Sequence, residues 1–212
     1  MRRSRLAVMA LSVALLVVGI ALGDKASPPD RTQCEKLMKD GNFKEAYEGF
    51  RALSLDPAAD PLKVGSDLSN GVACLQRLGR QAEMDAYLEA VVKVHARNWR
   101  LLAEAAKQYL NIEHRGAIVA GEFTRGRQRG QARTVNSYER DRVRALQLLV
   151  EAMKLVPEES DKGAVGSFFM SLAQTLLGDR SYNGAWRLQY LTDLEKLPDY
   201  EDGYYSRFEM SR

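Results

Sequence analysis

Apolar side chains recur at three- and four-residue steps along most of this chain, the spacing that places them on one face of an α-helix. The stretch 34–57 shows this most clearly, with a Gly-Asn pair near its middle and Asp-Pro at its end. Gly41 favours a tight turn, and Pro57 ends a helix. The stretch predicts two short helices in a hairpin, whose shared apolar face consists of Leu37, Phe43, Ala46, Tyr47, Phe50 and Leu53.

One such hairpin cannot bury its own apolar face, so it predicts similar neighbours. A second pair of helices is predicted over 62–78 and 82–95, with Gly79 between them. The two turn glycines lie about 38 residues apart, close to the period of about 34 residues in tetratricopeptide repeats. Three further helices are predicted to begin after Asn98, after Asn136 or Ser137, and at Asp161.

The segment after the last of these helices repeats the pattern of the first hairpin. Tyr182, Ala185 and Trp186 have the same spacing as the Phe-x-x-Ala-Tyr set that begins at residue 43. The segment 181–191 therefore predicts a partner helix for the one that begins at Asp161. Beyond Pro198 the sequence is aromatic and no longer periodic, which predicts a linker or tail.

The stretch 121–135, G-E-F-T-R-G-R-Q-R-G-Q-A-R-T-V, has three glycines, four arginines and no helical spacing. Because no stretch of the chain shows strand periodicity over more than a few residues, we predict an exposed loop here. The predicted fold class is all-α, a tetratricopeptide-like solenoid of about three stacked hairpins with one inserted Gly/Arg-rich loop. The predicted domain boundaries are a signal peptide over 1–23, a linker over 24–33, a helical repeat domain over 34–197 and an aromatic linker or tail over 198–212.

The N-terminus has the composition of a targeting segment. Residues 2–5 carry three arginines, residues 6–22 form a run of apolar or small residues, and Ala21 and Gly23 suit a signal peptidase. We predict cleavage before Asp24 and export to the periplasm, the cell envelope or the medium. The alternative is an uncleaved anchor, which would be the chain's only contact with a membrane.

Charge and composition limit the classes of partner. The chain of 212 residues is 45% hydrophobic and 28% charged, as expected for one soluble globular domain. Its formal net charge is +3, and the predicted signal peptide contains three arginines and no acidic residue. The remainder is therefore close to neutral, which argues against a nucleic-acid partner.

Candidate chemistry is sparse. We predict that Cys34 and Cys74 are two buried free thiols, and the alternative in an exported protein is a disulfide between them. His95 and His114 lie near predicted helix ends, where a cation interacts favourably with the helix dipole, and neither is spaced with other metal ligands. We therefore predict no catalytic residue, no cofactor and no metal site.

Residues 113–144 contain eight arginines and no lysine. Arginine pairs with carboxylates through two parallel hydrogen bonds, so the bias suggests acidic partners within the chain or outside it. The arginines of the following helix have neighbouring acids to pair with. Those of the predicted loop, Arg125, Arg127, Arg129 and Arg133, are candidates for binding a protein partner.

Five strings in this chain carry a resemblance to a known family. They are N-W-R-L-L, I-V-A-G-E-F-T-R-G, V-N-S-Y-E-R-D-R-V-R-A-L-Q-L, A-W-R-L-Q-Y-L-T-D-L and L-P-D-Y-E-D-G-Y-Y. They resemble the N-terminal helical region of large exported alpha-macroglobulin-like proteins of planctomycete bacteria, over most of residues 34–205. In that family the helical region precedes macroglobulin domains, some of which carry a protease-trapping thioester. These 212 residues contain no Cys-Gly-Glu-Gln string, so trapping is not carried over.

The function these patterns predict is an exported, non-catalytic protein-interaction module that docks a protein partner or downstream macroglobulin-type domains. The alternative implied by the resemblance is an N-terminal fragment of an alpha-macroglobulin-like protease inhibitor, without the thioester and macroglobulin domains. A third hypothesis is an envelope-associated protein that binds polyanions through the arginine-rich stretch.

Overall fold

The structure is a computed structural model that describes residues 30–128, 132–177 and 193–202. Within these ranges the chain is mainly helical, with a small antiparallel sheet that has three strands between the fifth and sixth helices and one after the seventh. The helices are α1 (Arg31–Lys39), α2 (Phe43–Leu55), α3 (Val64–Arg77), α4 (Met84–Val94), α5 (Trp99–Asn111), α6 (Tyr138–Met153) and α7 (Lys162–Leu177). The strands are β1 (Arg115–Val119), β2 (Glu122–Arg125), β3 (Arg133–Asn136) and β4 (Glu201–Asp202).

The first two hairpins turn at the glycines expected from the sequence. Gly41 has φ 84° and Gly79 has φ 68°, in the left-handed region that glycine adopts without steric cost. After α1, the amide of Asn42 donates to the Leu37 carbonyl at 2.9 Å. After α3, the amide of Arg80 donates to the Leu75 carbonyl at 2.9 Å. Each is the longer bond of a Schellman motif, so both helices end in the same way.

Side-chain caps mark the predicted helix starts. The Asn98 side chain accepts hydrogen bonds from the amides of Arg100 and Leu101, at 3.1 and 3.2 Å. The Asp161 carboxylate accepts from the amide of Ala164 at 3.0 Å. These bonds satisfy amides that have no partner within the helix, and they confirm both predicted starts.

The core is built where successive helices pack, with α2 against α3 and α5 against α6 forming the largest contacts. Ala46 is fully buried, as its spacing predicted. Gly71 of α3 leaves room for the ring of Tyr87, whose hydroxyl lies 2.8 Å from the Ser54 hydroxyl. The largest fully buried apolar side chains are Phe50, Leu68, Leu75, Met84, Leu88, Leu101, Leu102, Leu146, Leu148, Val64, Val72 and Val91.

A buried ion pair connects α1 to α3. Both oxygens of Asp67, which is fully buried, accept from the guanidinium of Arg31 at 2.8 and 2.7 Å. Cys34 and Cys74 lie in the same core as free, buried thiols, which agrees with the favoured prediction. Burial raises the pKa of the Cys74 thiol to about 11.

Within the stretch predicted as an exposed loop over residues 121–135, β2 and the first part of β3 belong to a sheet with strand order β2-β1-β3-β4, so the loop prediction is wrong for those residues. The described residues are mainly helical, as the all-α prediction requires, but they also contain this small sheet, which the sequence did not indicate. Antiparallel pairing joins Val119 to Glu122 across a two-residue turn. Ala120 and Gly121 have φ 51° and 87°, as the tight turn of a right-twisted hairpin requires.

The C-terminal stretch also contributes to this sheet. Within the predicted linker or tail over 198–212, β4 pairs with β3, placing Glu201 opposite Asn136 and Asp202 opposite Val135. The helix predicted over 181–191 lies outside the described residues. None of the described helices combines the length and apolar character needed to cross a lipid bilayer.

Candidate functional site: a buried arginine between sheet and helices

The inner face of the sheet is organised around the last residue of β2. Arg125 is 2% exposed, although it belongs to an arginine-rich stretch. The register sets Arg125 opposite Gly116 of β1 and Gly116 opposite Val135 of β3, so the three share one face. A side chain at Gly116 would collide with the ring of Phe123, so glycine there leaves room for that ring on the same face.

All three nitrogens of the Arg125 guanidinium are engaged by protein oxygens. Nη1 and Nη2 donate to the two oxygens of Asp141 on α6 at 2.8 and 2.9 Å. Nη2 also donates to Asp85 of α4 at 2.6 Å, while Nε lies 3.2 Å from both oxygens of that carboxylate. Nη1 reaches the carbonyl of Glu113 at 2.7 Å. One side chain therefore connects the sheet to α4, to α6 and to the segment that follows α5.

Asp141 has two further hydrogen-bond partners besides Arg125. The Ser137 hydroxyl donates to Oδ2 of Asp141 at 2.7 Å, and Nδ1 of His114 lies 2.7 Å from the same oxygen. The ring of His114 also packs edge-to-face against Tyr138, with centroids 5.0 Å apart. A serine, a histidine and an aspartate thus meet, but the carboxylate lies between the other two. This order does not bring a histidine base to the serine hydroxyl, so the geometry is that of a structural network.

The network favours the charged forms of Arg125 and Asp141. Burial alone would raise the pKa of Asp141, but hydrogen bonds from His114, Arg125 and Ser137 outweigh burial and hold it below its usual range. Burial likewise works against the charge on Arg125, yet its contacts with Asp141 and Asp85 raise the pKa of the guanidinium. Arg125 and Asp141 therefore remain a buried ion pair at neutral pH.

A second ion pair between an arginine and a carboxylate lies one helical turn further along α4. Glu89, four residues after Asp85, accepts from Nε and Nη2 of Arg144 on α6 at 2.7 and 2.8 Å. The hydroxyl of Tyr109 on α5 donates to Glu89 at 2.7 Å. Burial would raise the pKa of Glu89, but these hydrogen bonds lower it. Two acids on one face of α4 thus hold two arginines from elements that follow it in the chain.

An aromatic stack attaches the C-terminal stretch to the same region. Phe123 and Tyr200 stack with centroids 4.5 Å apart and planes inclined by 16°. Arg125 lies 5.3 Å from the Phe123 centroid, and Arg140 lies 4.8 Å from that of Tyr200. Arg140 also donates to the carbonyl of Pro198 at 2.9 Å. The guanidinium of Arg125, the two stacked rings and the guanidinium of Arg140 therefore follow one another in that order, and each cation lies over a ring face.

The predicted partner-binding arginines do not form one surface. Arg125 is buried in ion pairs, so the expectation that it lies exposed is wrong, since two carboxylates and a carbonyl compensate its desolvation. Arg127 is exposed. Arg133 is exposed on β3, opposite Ile118 of β1, and has contacts of its own. Arg129 lies outside the described residues.

The residues that complete the cluster, Asp85, His114 and Asp141, were not predicted as site residues. One available signal was the pair of acids four residues apart, Asp85 and Glu89, in the largely apolar α4 sequence. Nothing in the spacing showed which arginines they bind. His95 follows directly after α4, and its Nε2 lies 3.0 Å from the carbonyl of Ser54 near the end of α2.

Within the described ranges, every buried side-chain nitrogen and oxygen has a hydrogen-bond partner. In the same ranges no group of three or more His, Cys, Asp or Glu side chains is arranged to hold a metal ion. Comparison of the chain with family models, curated proteins and solved structures finds no match. The geometry is therefore the basis for proposing a function.

Proposed function

We propose that this chain is an exported, non-catalytic protein-interaction module built from tetratricopeptide-like helical hairpins. The observation that carries the proposal is the packing order of the helices. The helix α2 packs against both α1 and α3, and α5 packs against both α3 and α6. Arrays of this kind present the first helix of each hairpin along one extended surface, which is where such proteins bind partners.

The surface shared by α3 and α5 is the proposed binding surface. Nε2 of Gln108 donates to the Ser69 hydroxyl at 3.2 Å, which places the two helices side by side. The outward positions beside this contact are small or polar and leave space for a partner. They are Ser66, Asn70 and Ala73 on α3 and Lys107 and Asn111 on α5, all exposed or half-exposed.

The arginine-bearing sheet is a secondary contact in this proposal. Arg125 is committed to Asp85 and Asp141, so it serves to hold the sheet in place. Arg127, two residues later, is exposed. We propose that Arg127 contributes a salt-sensitive electrostatic contact to an acidic partner, since exposed charges act mainly on association and are screened by salt.

The experiment is a matched pair of alanine-to-arginine changes. Ala73→Arg places a long cationic side chain on the proposed surface, whereas Ala86→Arg places the same side chain on an exposed position of α4. Each variant would be used to capture proteins from the envelope and secreted fractions of the producing cells. We expect Ala86→Arg to recover the partner as wild type does, and Ala73→Arg to lose it by about tenfold or more, because an interface cannot accommodate the extra volume and charge.

Thermal melting of both variants shows that they are folded before capture is compared. If no protein is recovered better by wild type than by Ala73→Arg, then the surface between α3 and α5 is not a binding surface and the proposal is wrong. Repeating the capture with Arg127→Ser at low and high salt tests the electrostatic contact. A salt dependence identical to wild type would contradict it.

A further inference from the structure

The helix α7 buries only part of its apolar circumference. Phe168 is 3% exposed and packs edge-to-face against Trp99 of α5, with ring centroids 5.7 Å apart. Val165 and Leu172, three and four residues away on the same face, also contact the core. This face attaches α7 to α5 and α6 and leaves the neighbouring face of the helix to be explained.

That neighbouring face is apolar and open to solvent. Phe169, Met170, Leu176 and Leu177 are 46%, 62%, 48% and 41% exposed. Ala173 lies between them and is also exposed. We call these five residues the α7 stripe. A continuous apolar stripe of this kind on a soluble protein marks an interaction surface, whereas isolated exposed apolar residues need no explanation.

The α7 stripe is symmetric about Ala173. Its large residues lie three and four positions before that alanine and three and four positions after it. If a second α7 lies antiparallel across a two-fold axis at Ala173, Phe169 meets Leu177 of the other copy and Met170 meets Leu176. An isologous interface requires this self-complementary order, and the small side chain at the axis allows the two helices to approach closely.

The charge pattern also favours a second copy over a charged partner. Residues 163–177 contain no Asp, Glu, Lys or Arg. Two copies of the helix therefore meet without like-charge repulsion, while a charged partner finds nothing to pair with along it. Polar positions such as Ser167 and Gln174 border the stripe and supply the polar rim that interfaces have.

We propose that the α7 stripe is a self-association surface, through which two copies of this chain pair their α7 helices antiparallel around a two-fold axis at Ala173. A helix of 16 residues is about 24 Å long, so one helix pair makes an interface at the small end of the range for specific complexes. We therefore expect a weak, reversible dimer.

Cysteine cross-linking of the full chain tests the axis directly. The chain contains two cysteines, Cys34 and Cys74, and both are buried. An introduced surface thiol is therefore the one available to form a disulfide between two copies. Under mild oxidation Ala173→Cys is expected to give mainly disulfide-linked dimer, because a residue at a two-fold axis faces its own copy. Gln174→Cys, its exposed neighbour on the polar border, is the matched control and should give roughly a tenth as much.

A charge placed in the stripe tests the interface without cross-linking. Met170→Lys should weaken the dimer by at least about tenfold in light scattering over a concentration series, because two copies would bury unpaired ammonium groups. Gln174→Lys adds the same charge outside the stripe and should leave the dissociation constant unchanged. Association through the apolar run 6–22 would affect all four variants alike, so the paired comparisons isolate α7.

Three results would overturn the proposal. The first is equal cross-linking of the two cysteine variants, which means that Ala173 does not lie on an axis. The second is a monomer whose melting temperature falls in Met170→Lys but not in Gln174→Lys. In that case the stripe is covered within the chain, by the partner helix predicted over 181–191, rather than by a second copy. The third is that both lysine variants keep the solution mass and the melting temperature of wild type. Self-association through the stripe is then rejected, and an unidentified partner is the remaining candidate to cover it.

Discussion

The hairpins α1 to α4 and the sheet with α6 differ in the kind of side chain that dominates their buried set. In the hairpins this set is mainly apolar, with Asp67 and its partner Arg31 as a charged exception. Large residues such as Phe50, Leu68 and Leu88 are fully buried there, and their contacts are numerous and individually weak. At the junction of the sheet with α6, the buried set includes the ions Arg125 and Asp141. The first region tolerates small losses of contact, whereas the second depends on each partner being present.

This difference follows from the cost of burying charge. An apolar core loses stability in proportion to the contacts or the space that a substitution changes. A buried ion network loses more when one member is removed, since the remaining charges stay desolvated without compensation. The two regions should therefore differ in the size of their response to single substitutions, and in their response to pH.

The largest effect is expected from Arg125→Ala. The change leaves Asp141 buried and Asp85 partly buried without their shared cation, which should lower the free energy of unfolding by about 3–5 kcal/mol. Urea unfolding measures the total loss. Amide hydrogen exchange should show that protection falls first in β1 and β2, while α2 and α3 keep theirs.

The control is Arg127→Ala, which removes the same side chain two residues later. Arg127 is exposed, so the expected change is within about 0.5 kcal/mol. Equal unfolding midpoints for the two variants would mean that the ion network contributes no net stability and would remove the contrast between the regions. A uniform loss of protection in every helix would mean that the regions unfold together.

A smaller effect is expected from Ala46→Leu in the hairpin region. Ala46 is fully buried, and three additional carbons there require neighbouring side chains to move, at a cost of about 1–3 kcal/mol. Ala52→Leu makes the same change on an exposed position of α2 and should be close to neutral. Thermal unfolding of the pair measures the packing cost alone. Identical midpoints would contradict the close approach of helices at Ala46.

The sequence predicts the hairpins well because their signals are local. The glycines at 41 and 79 both adopt left-handed φ, and Asn98 begins α5 with the cap that its residue type predicts. Apolar residues at helical spacing identify most of the core for the same reason. Each of these signals is carried by residues within one or two helical turns of one another, where a single sequence is informative.

The sheet was missed because its signals are weak or distant. Its strands have five residues or fewer, and the β1–β2 turn is Ala120–Gly121 rather than the Asn-Gly or Asp-Gly pair typical of such hairpins. The arginine run favoured a solvated loop, since charged residues are mostly exposed. Arg125 is buried only because acids 40 and 16 residues away meet it, and no local pattern contains that pairing.

The smallest effect concerns pH and appears only in acid. The pKa of Asp141 is held below its usual range in the folded protein, so the folded state binds fewer protons than the unfolded state through the acid range. The stability this provides is fully present above the unfolded value of about 3.9 and is lost as pH falls through the depressed folded value. Urea midpoints should therefore be level near neutral pH and decline below about pH 5.

The acid effect is smaller than that of Arg125→Ala because a protonated Asp141 still accepts a hydrogen bond through its other oxygen. Asp141→Asn removes the titrating group, so its midpoints should start lower at neutral pH and decline less steeply in acid than those of wild type. Asp40→Asn, a change at an exposed carboxylate, should follow the wild-type curve. If Asp141→Asn and wild type decline in parallel, then the acid sensitivity arises elsewhere. If protection in α2 and α3 is lost as early as in β1 and β2, the hairpins depend on the same ions as the sheet.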